Sequence, residues 1–178
     1  MTSAYLSQLP TLSHVMDQNP IRSKFVLDTT FDESLVSNIS IVPTVGEQYV
    51  VIGLENGKWE LAGGTLEPGE HYMEGLKREV MEELGAELVS FTLFGQFQCT
   101  SSASKPYRPH IPHPNFIRLL GCGEVKIVGK PLNPPDGEQV VSVDIVDIQE
   151  AIERYLSIDR PDIAEMYQLA HHLRFFRT

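Results

Sequence analysis

The sequence is poor in cysteine, in basic residues and in long apolar runs, and each shortage narrows what the chain can be. Cys99 and Cys122 are its only cysteines. Both fall in expected strands and are predicted to be reduced core thiols, with a single disulfide as the alternative. The 14 Lys and Arg residues against 24 Asp and Glu give a net charge of −10. That charge argues against binding a nucleic acid polymer, which requires a basic surface.

The sequence also shows no segment with the features of a membrane span or a secretory signal. No apolar run approaches the roughly 18 residues of a membrane span. The N-terminal residues MTSAYLSQLP lack both a basic start and an apolar core. A secretory signal is therefore not expected, and the sequence favours a cytoplasmic protein with no membrane partner.

What the chain does have is the composition of one globular domain. Its 178 residues are long enough to bury a real core, and 42% hydrophobic with 21% charged residues is ordinary for such a domain. We expect a single domain over residues 1–178. Within it, residues 1–34 read as an N-terminal extension and residues 158–178 as a C-terminal helix.

Local patterns predict strands mixed with helices. Strands are expected at 36–45, 48–54, 89–100, 116–128 and 140–146, and helices at 12–17, 71–84, 149–156 and 161–174. Asn56-Gly57 is a signal for a two-residue hairpin turn. This alternation indicates an α/β sandwich.

The densest information lies in one stretch, which reads GTLEPGEHYMEGLKREVMEELGA from Gly64 to Ala86. After a turn at Glu67-Pro68-Gly69, the segment 71–84 has no proline and is rich in good helix formers. At about 100° per residue its apolar side chains fall on one stripe, which consists of Met73, Leu76, Val80 and Leu84. Gly85 then supplies a C-terminal stop.

Glu79, Glu82 and Glu83 fall on a neighbouring face of that helix, because residues three and four apart stack along it. Like charges so close repel one another, and a hard cation with oxygen ligands would neutralise them. The alternative is a solvated acidic face. That alternative leaves unexplained the glycines at both ends and the flanking Glu70 and Arg78, since Arg78 can fork onto a carboxylate and orient it. Gly63-Gly64 is expected to form a turn that brings backbone carbonyls close to the start of the helix, because glycine tolerates backbone angles that other residues avoid.

This stretch resembles the Nudix box, the motif of hydrolases that act on nucleoside diphosphates linked to another moiety. Every charged and glycine position of the pattern is present. Two packing or turn positions depart from it: Ala86 replaces a bulky aliphatic residue, and Ala62 precedes the two glycines where proline is common. The box covers the stretch from 64 to 86, and weaker similarity in the order of elements extends over roughly residues 35 to 157. The resemblance implies an α/β/α sandwich with a mixed β-sheet between helices.

The resemblance also implies roles and a cofactor, Mg²⁺ or Mn²⁺. The implied metal ligands are Glu79, Glu82, Glu83 and the carbonyl of Gly63. Arg78 and Glu70 would hold Glu79 in place, and Glu79 is the first choice for the base. An acidic residue in a later loop often assists, and Glu138 is the candidate, with an ordinary turn glutamate as the alternative. Many relatives are dimers, so a homodimer is a further expectation.

The segment 101–115 is too long and proline-rich for a simple hairpin turn, and long ordered loops are often functional. It carries Lys105, Tyr107 and Arg108. One interpretation is a substrate-binding loop, with Arg108 on phosphate and Tyr107 stacking on a base or sugar. The other is a stiff surface loop. His110 and His113, with no third ligand nearby in the sequence, make only a weak metal pair.

Together these observations predict a metal-dependent hydrolase in which water attacks one phosphorus of a small nucleotide-type substrate. The alternative from another class is a Nudix domain that binds a nucleotide or metabolite as a sensor. A calcium-binding structural protein fits less well, because the calcium loop motif is absent. Motifs outside the box that mark substrate subgroups have no clear match, so the substrate stays open.

Overall fold

The computed structural model describes residues 2–176. Its helices are α1 (Thr2–Leu6), α2 (Tyr72–Leu84), α3 (Ile148–Ser157) and α4 (Pro161–Phe175), with a 3₁₀ turn at Glu33–Leu35. Its strands are β1 (Met16–Gln18), β2 (Ile21–Val26), β3 (Val36–Val45), β4 (Gln48–Leu54), β5 (Trp59–Glu60), β6 (Ala62–Thr65), β7 (Ala86–Leu88), β8 (Thr92–Ser101), β9 (Asn115–Ile127) and β10 (Val140–Val146).

The strands form one mixed sheet with helices on both faces, which confirms the predicted α/β/α sandwich. The main path of the sheet runs β1-β2-β8-β9-β3-β4-β10, with β6 paired to β3, β5 to β4 and β7 to β9. The β3–β9 pair is parallel. Alternate residues of β3 divide the core: Ile39 and Ile41 pack with α2, and Val42 packs with α3 and α4.

The helix of the Glu-rich stretch forms where the sequence predicts it. His71 is the N-cap, and its ring nitrogen accepts a hydrogen bond from the Met73 N–H. Leu76, Val80 and Leu84 are fully buried on the predicted stripe. Gly85 ends the helix in the left-handed region at φ 61°, a conformation that glycine adopts without strain.

Residues 2–34, which fall in the predicted N-terminal extension, include α1, β1 and β2. The predicted helix at 12–17 is wrong, because Thr11 and Leu12 lie in a turn whose backbone N–H groups donate to the Glu165 carboxylate of α4. A helix would instead pair its N–H groups with its own carbonyls. The next residues form β1, and β2 pairs antiparallel with β8. The N-terminal segment therefore completes one edge of the sheet.

Other predicted boundaries also shift. The expected strand at 89–100 begins only at Thr92, and the Asn56-Gly57 hairpin exists but spans three residues, since Leu54 N–H bonds to the Lys58 carbonyl. Within the predicted C-terminal segment 158–178, α4 ends at Phe175, and residues 177 and 178 lie outside the described part. No helix among residues 2–176 is both long and apolar enough to cross a bilayer.

Candidate active site

Arg78 is the centre of the acidic cluster on α2. Its guanidinium forks onto Glu70, with Nε and Nη2 donating to the two carboxylate oxygens at 2.8 and 2.9 Å. Its Nη1 donates to Glu79 Oε1 at 2.8 Å and to Glu82 Oε2 at 3.1 Å. One arginine therefore orients three carboxylates, and the fork to Glu70 fixes the plane of its guanidinium.

Glu83 is held from another direction, by the sheet. Its Oε2 accepts a hydrogen bond of 2.9 Å from the Gly63 N–H. Gly63 and Gly64 were predicted as a turn, but they lie in β6 and pair with Ser40 and Ile39 of β3. Gly63 has φ 134°, and a side chain on it would collide with the Ile39 carbonyl. Glycine is thus required where β6 meets the carboxylates.

Burial sets the electrostatics of these carboxylates. It raises the pKa of Glu83 to about 8, and the neighbouring charges of Glu79, Glu138 and Glu60 act in the same direction. Burial also raises the pKa of Glu79, opposed by its contact with Arg78. Glu70 behaves in the opposite way, because its hydrogen bonds to Arg78 lower its pKa. The cluster holds negative charge that the protein itself compensates only in part.

The donor chemistry of the cluster suits a hard divalent cation. Three glutamate carboxylates are oxygen ligands of the kind that Mg²⁺ and Mn²⁺ take, as is the Gly63 backbone carbonyl that the sequence-based hypothesis adds to them. As they stand, however, no three acidic, histidine or cysteine side chains of the described residues are arranged so that they could hold a metal ion. The reason is visible: Glu79 and Glu82 face Arg78, and Glu83 faces the Gly63 N–H. Side-chain rotations of these three residues would be needed to assemble the ligand set.

A cavity of about 310 Å³ opens beside Glu83 on the sheet face that carries α4. Its lining includes Asn38 and Ser40 of β3, Gly63 and Gly64 of β6, and Glu138. Glu138 is exposed, in the loop before β10. Glu138 and Glu83 thus share one cavity, as the sequence-based hypothesis of an assisting acidic residue requires.

The predicted substrate loop contacts the rim of this region through one of its three candidates. Tyr107 donates to the Asn38 side chain at 2.9 Å. Lys105 and Arg108 are exposed, and their side chains make no hydrogen bond or ion pair with any described residue. His110 contacts the Leu66 carbonyl at 2.7 Å. Neither His110 nor His113 belongs to a set of three described His, Cys, Asp or Glu side chains that could hold a metal ion.

Sequence reasoning missed most of the cavity wall. The missed residues come from segments far apart in the chain and include Met16, Gln18, Ser23, Phe97, Arg118, Arg160, Asp162 and Met166. One of them left a signal in the sequence. Arg118 is the only charged residue in the apolar run from Phe116 to Gly123, near the start of a strand that the sequence predicts.

The comparisons with known proteins agree with this geometry. The family model for the NUDIX domain matches residues 37–169. Nucleoside triphosphatase NudI of Salmonella schwarzengrund is 54% identical over 37 residues, which is 21% of this chain and 26% of that protein, and its counterpart in Salmonella agona matches equally. The chain thus spans about a quarter of the length of these curated relatives.

Two solved structures share the fold at low sequence identity. The pyrophosphohydrolase BsRppH of Bacillus subtilis is 17% identical with a TM-score of 0.56, over 74% of this chain and 76% of that one. A NUDIX hydrolase from Nitrosomonas europaea is 21% identical with a TM-score of 0.54, over 76% and 88% of the two chains. The family match covers most of the chain and contains every residue of the acidic cluster: this protein belongs to the NUDIX domain family.

Proposed function

We propose that this protein is a metal-dependent hydrolase that cleaves the diphosphate linkage of a nucleoside diphosphate joined to another moiety. The observation that carries the proposal is the arrangement of three glutamates on α2 next to a cavity. Arg78, itself held by Glu70, orients Glu79 and Glu82, and Glu83 lines the cavity. Repulsion among these carboxylates destabilises the fold unless a bound cation offsets their charge. A protein with no need for a cation would be more stable with fewer buried carboxylates in contact.

In the proposed reaction a water oxygen bonds to one phosphorus and the bridging P–O bond of the anhydride breaks. Two phosphorylated fragments leave. Glu79 is the proposed proton acceptor, because it is buried, its pKa is raised, and Arg78 fixes its orientation. When bound, Mg²⁺ or Mn²⁺ would offset phosphate charge and lower the pKa of a coordinated water. Glu82, Glu83 and the Gly63 carbonyl are the proposed further ligands.

The support for a role of Glu138 is its place in the cavity with Glu83. We propose that it assists the attack on phosphorus from the loop side. Tyr107 reaches the rim through Asn38, and we propose that Lys105, Tyr107 and Arg108 approach the substrate when it is bound. The proposed substrate is a small molecule. A cytoplasmic location and a homodimer stay predictions.

Turnover of a defined set of compounds tests the function. The protein would be incubated with Mg²⁺ or Mn²⁺ and a panel of nucleoside triphosphates, sugar nucleotides, ADP-ribose and dinucleotides, with products identified by mass. Nucleoside triphosphates come first because the relative NudI carries that activity in its name. We expect turnover of one class, and none after chelation.

The Glu82→Gln/Glu83→Gln double variant should lose this turnover while keeping its fold, because both side chains serve the site rather than the core. The matched control is Glu74→Gln/Glu87→Gln, which removes the same charge from exposed positions on α2 and β7. Equal turnover in the two double variants would contradict the proposed site. Nucleotide binding without any turnover by the native protein would favour the sensor.

A further inference from the structure

The cavity beside the carboxylates contains two arginines, and only one of them is neutralised. Arg160 forks onto Asp162, with two bonds of 3.0 Å, and also lies 3.4 Å from Glu60. Arg118 makes no ion pair with any described residue, and its buried Nε has no hydrogen-bond partner among them. A buried arginine donor is rarely left without an acceptor. Arg118 therefore carries free hydrogen-bonding capacity in a ligand cavity.

The position of Arg118 in the sheet makes it a rigid part of that cavity. It lies on β9, between β3 and β8, where it pairs with Asn38 on one side and Phe97 on the other. All three side chains line the cavity. The Arg118 guanidinium also lies over the Phe116 ring, 5.4 Å from its centre, in a cation–π contact that helps to hold it in place. Sites on central strands hold their geometry better than sites on loops.

The distance from the carboxylates indicates which part of a substrate would reach Arg118. Gly63, which holds Glu83, belongs to β6, and β3 separates β6 from β9. Two strand spacings of about 4.8 Å each therefore separate the two backbones. A substrate whose reacting phosphorus lies at the carboxylates must extend across β3 to reach the guanidinium. Its next anionic group is then the natural partner, since a guanidinium fork matches two oxygens of one phosphate.

Resting on the proposed function, we propose that Arg118 binds the substrate phosphate that lies away from the glutamate cluster. This assigns the main anion contact to a strand residue that faces the cavity rather than to the exposed Arg108 of the loop. It also explains how a cavity lined by several acidic side chains could accept an anionic substrate. Glu60, Glu83, Glu138 and Asp162 all line this cavity, and Arg118 is its one described cation without an acidic partner.

Calorimetric binding tests this role without relying on turnover. The probes are methylenediphosphonate, which resists hydrolysis, AMP and adenosine, each titrated into the full chain in the presence of Mg²⁺. Arg118→Met should weaken the binding of the two anionic probes by about tenfold to a hundredfold, the range for a lost hydrogen bond to a charged group. Adenosine binding should not change, because it has no phosphate. Arg118→Lys keeps the charge but not the forked guanidinium. Its affinity for the anionic probes should therefore lie between those of the native protein and Arg118→Met.

Arg22→Met is the matched control. Arg22 is exposed on β2, where it follows the alternation of the strand to the face opposite that of its neighbour Ser23, which lines the cavity. The Arg22→Met variant should bind all three probes with the affinities of the native protein. Should Arg118→Met fail to fold, the comparison of Arg118→Lys with Arg22→Met decides the question. Equal affinity of the Arg118 variants and native protein for the anionic probes would overturn the assignment. So would an equal loss of adenosine binding, or native protein that binds neither anion.

The two proposals fail in different ways. Binding that depends on Arg118 in a protein that cleaves no panel compound would reject the hydrolase and keep the phosphate contact. Turnover that depends on Glu82 and Glu83, with phosphate affinity indifferent to Arg118, would reject the contact and keep the hydrolase.

Discussion

Gly64 of β6 and Glu79 of α2 lie so close together that a side chain at position 64 would overlap the Glu79 carboxylate. A Cβ built on Gly64 would come well under 3.0 Å from Glu79 Oε1, a separation that real Cβ atoms do not show. Glu79 is buried, and Arg78 holds the same oxygen at 2.8 Å. The position in which Arg78 holds the Glu79 carboxylate therefore depends on the absence of a side chain at position 64.

Gly64→Ala should therefore displace Glu79 and reduce kcat on any accepted substrate by at least about a hundredfold, as a small misplacement of a reacting group can do. The melting temperature should fall only moderately, since the strand pairing of β6 can persist. Gly129→Ala is the control, because a Cβ there meets nothing within 4 Å. An active Gly64→Ala variant would show that Glu79 need not occupy its present position.

Glu70 should matter to the site through Arg78 alone. Glu70→Gln keeps the shape but turns one of the two acceptors of the Arg78 fork into a donor, so the guanidinium loses its fixed orientation. We expect a stability loss of about 1–3 kcal/mol and a turnover roughly tenfold to a hundredfold lower, the usual cost of losing a group that orients a ligand.

The Mn²⁺ concentration that gives half-maximal rate should rise in the same variant, which a purely structural defect would not cause. Glu74→Gln supplies the comparison, because Glu74 is exposed near the start of α2 and its carboxylate pairs with Lys77 alone among the described residues. If both variants show the same Mn²⁺ dependence, Glu70 does not position the site.

Local sequence patterns were sufficient for the elements that stabilise themselves. The stripe of Leu76, Val80 and Leu84, with a capping residue before it and Gly85 after it, defines α2 without knowledge of the rest. The acidic cluster follows from the same helix, because its members lie within one or two turns of each other. Helical spacing alone predicts that Glu79, Glu82 and Glu83 lie on one face of the helix.

The errors share a cause, which is a partner distant in the chain. The segment at 12–17 is not a helix because Glu165, 153 residues away, accepts the Leu12 N–H. Gly63 and Gly64 form a strand rather than a turn because β3 pairs with them. Arg118 acquires its cavity only when Asn38 and Phe97 flank it in the sheet. Non-local pairing of this kind leaves no periodic trace in a single sequence.

Glu165 should be a major contributor to stability although it takes no part in the proposed chemistry. It is 6% exposed, and its two oxygens accept bonds of 2.7 to 3.0 Å from the N–H groups of Thr11 and Leu12. Glu165→Ala leaves both donors without an acceptor, at about 1–3 kcal/mol each.

Urea unfolding should show a loss of roughly 3 kcal/mol or more for Glu165→Ala, and early proteolysis should cut the N-terminal segment that leads into β1. Glu153→Ala, at an exposed position of α3, should change stability by no more than about 0.5 kcal/mol. A Glu165→Ala protein as stable as this control would mean that the N-terminal segment is held by its apolar contacts alone.

The two cysteines should be nearly inert in the folded protein. Both are free and buried, and burial raises the pKa of each thiol to about 11. They also lie at separate sheet positions, since Cys99 pairs with Phe116 and Cys122 with Thr92, which removes the alternative of a disulfide between them.

At pH 8 only about one thiol in a thousand would be ionised, and the thiolate is the species that reacts. A colorimetric disulfide reagent should therefore label native protein at least about a hundredfold more slowly than urea-unfolded protein, in which both thiols react at once. As the pH is increased towards 11, the labelling rate of the native protein should rise about tenfold per pH unit, because the thiolate fraction rises by that factor. Cys99→Ser isolates Cys122 and assigns any residual rate. A thiol that reacts rapidly in native protein at pH 8 would show that one of these strands opens to solvent far more often than its burial indicates.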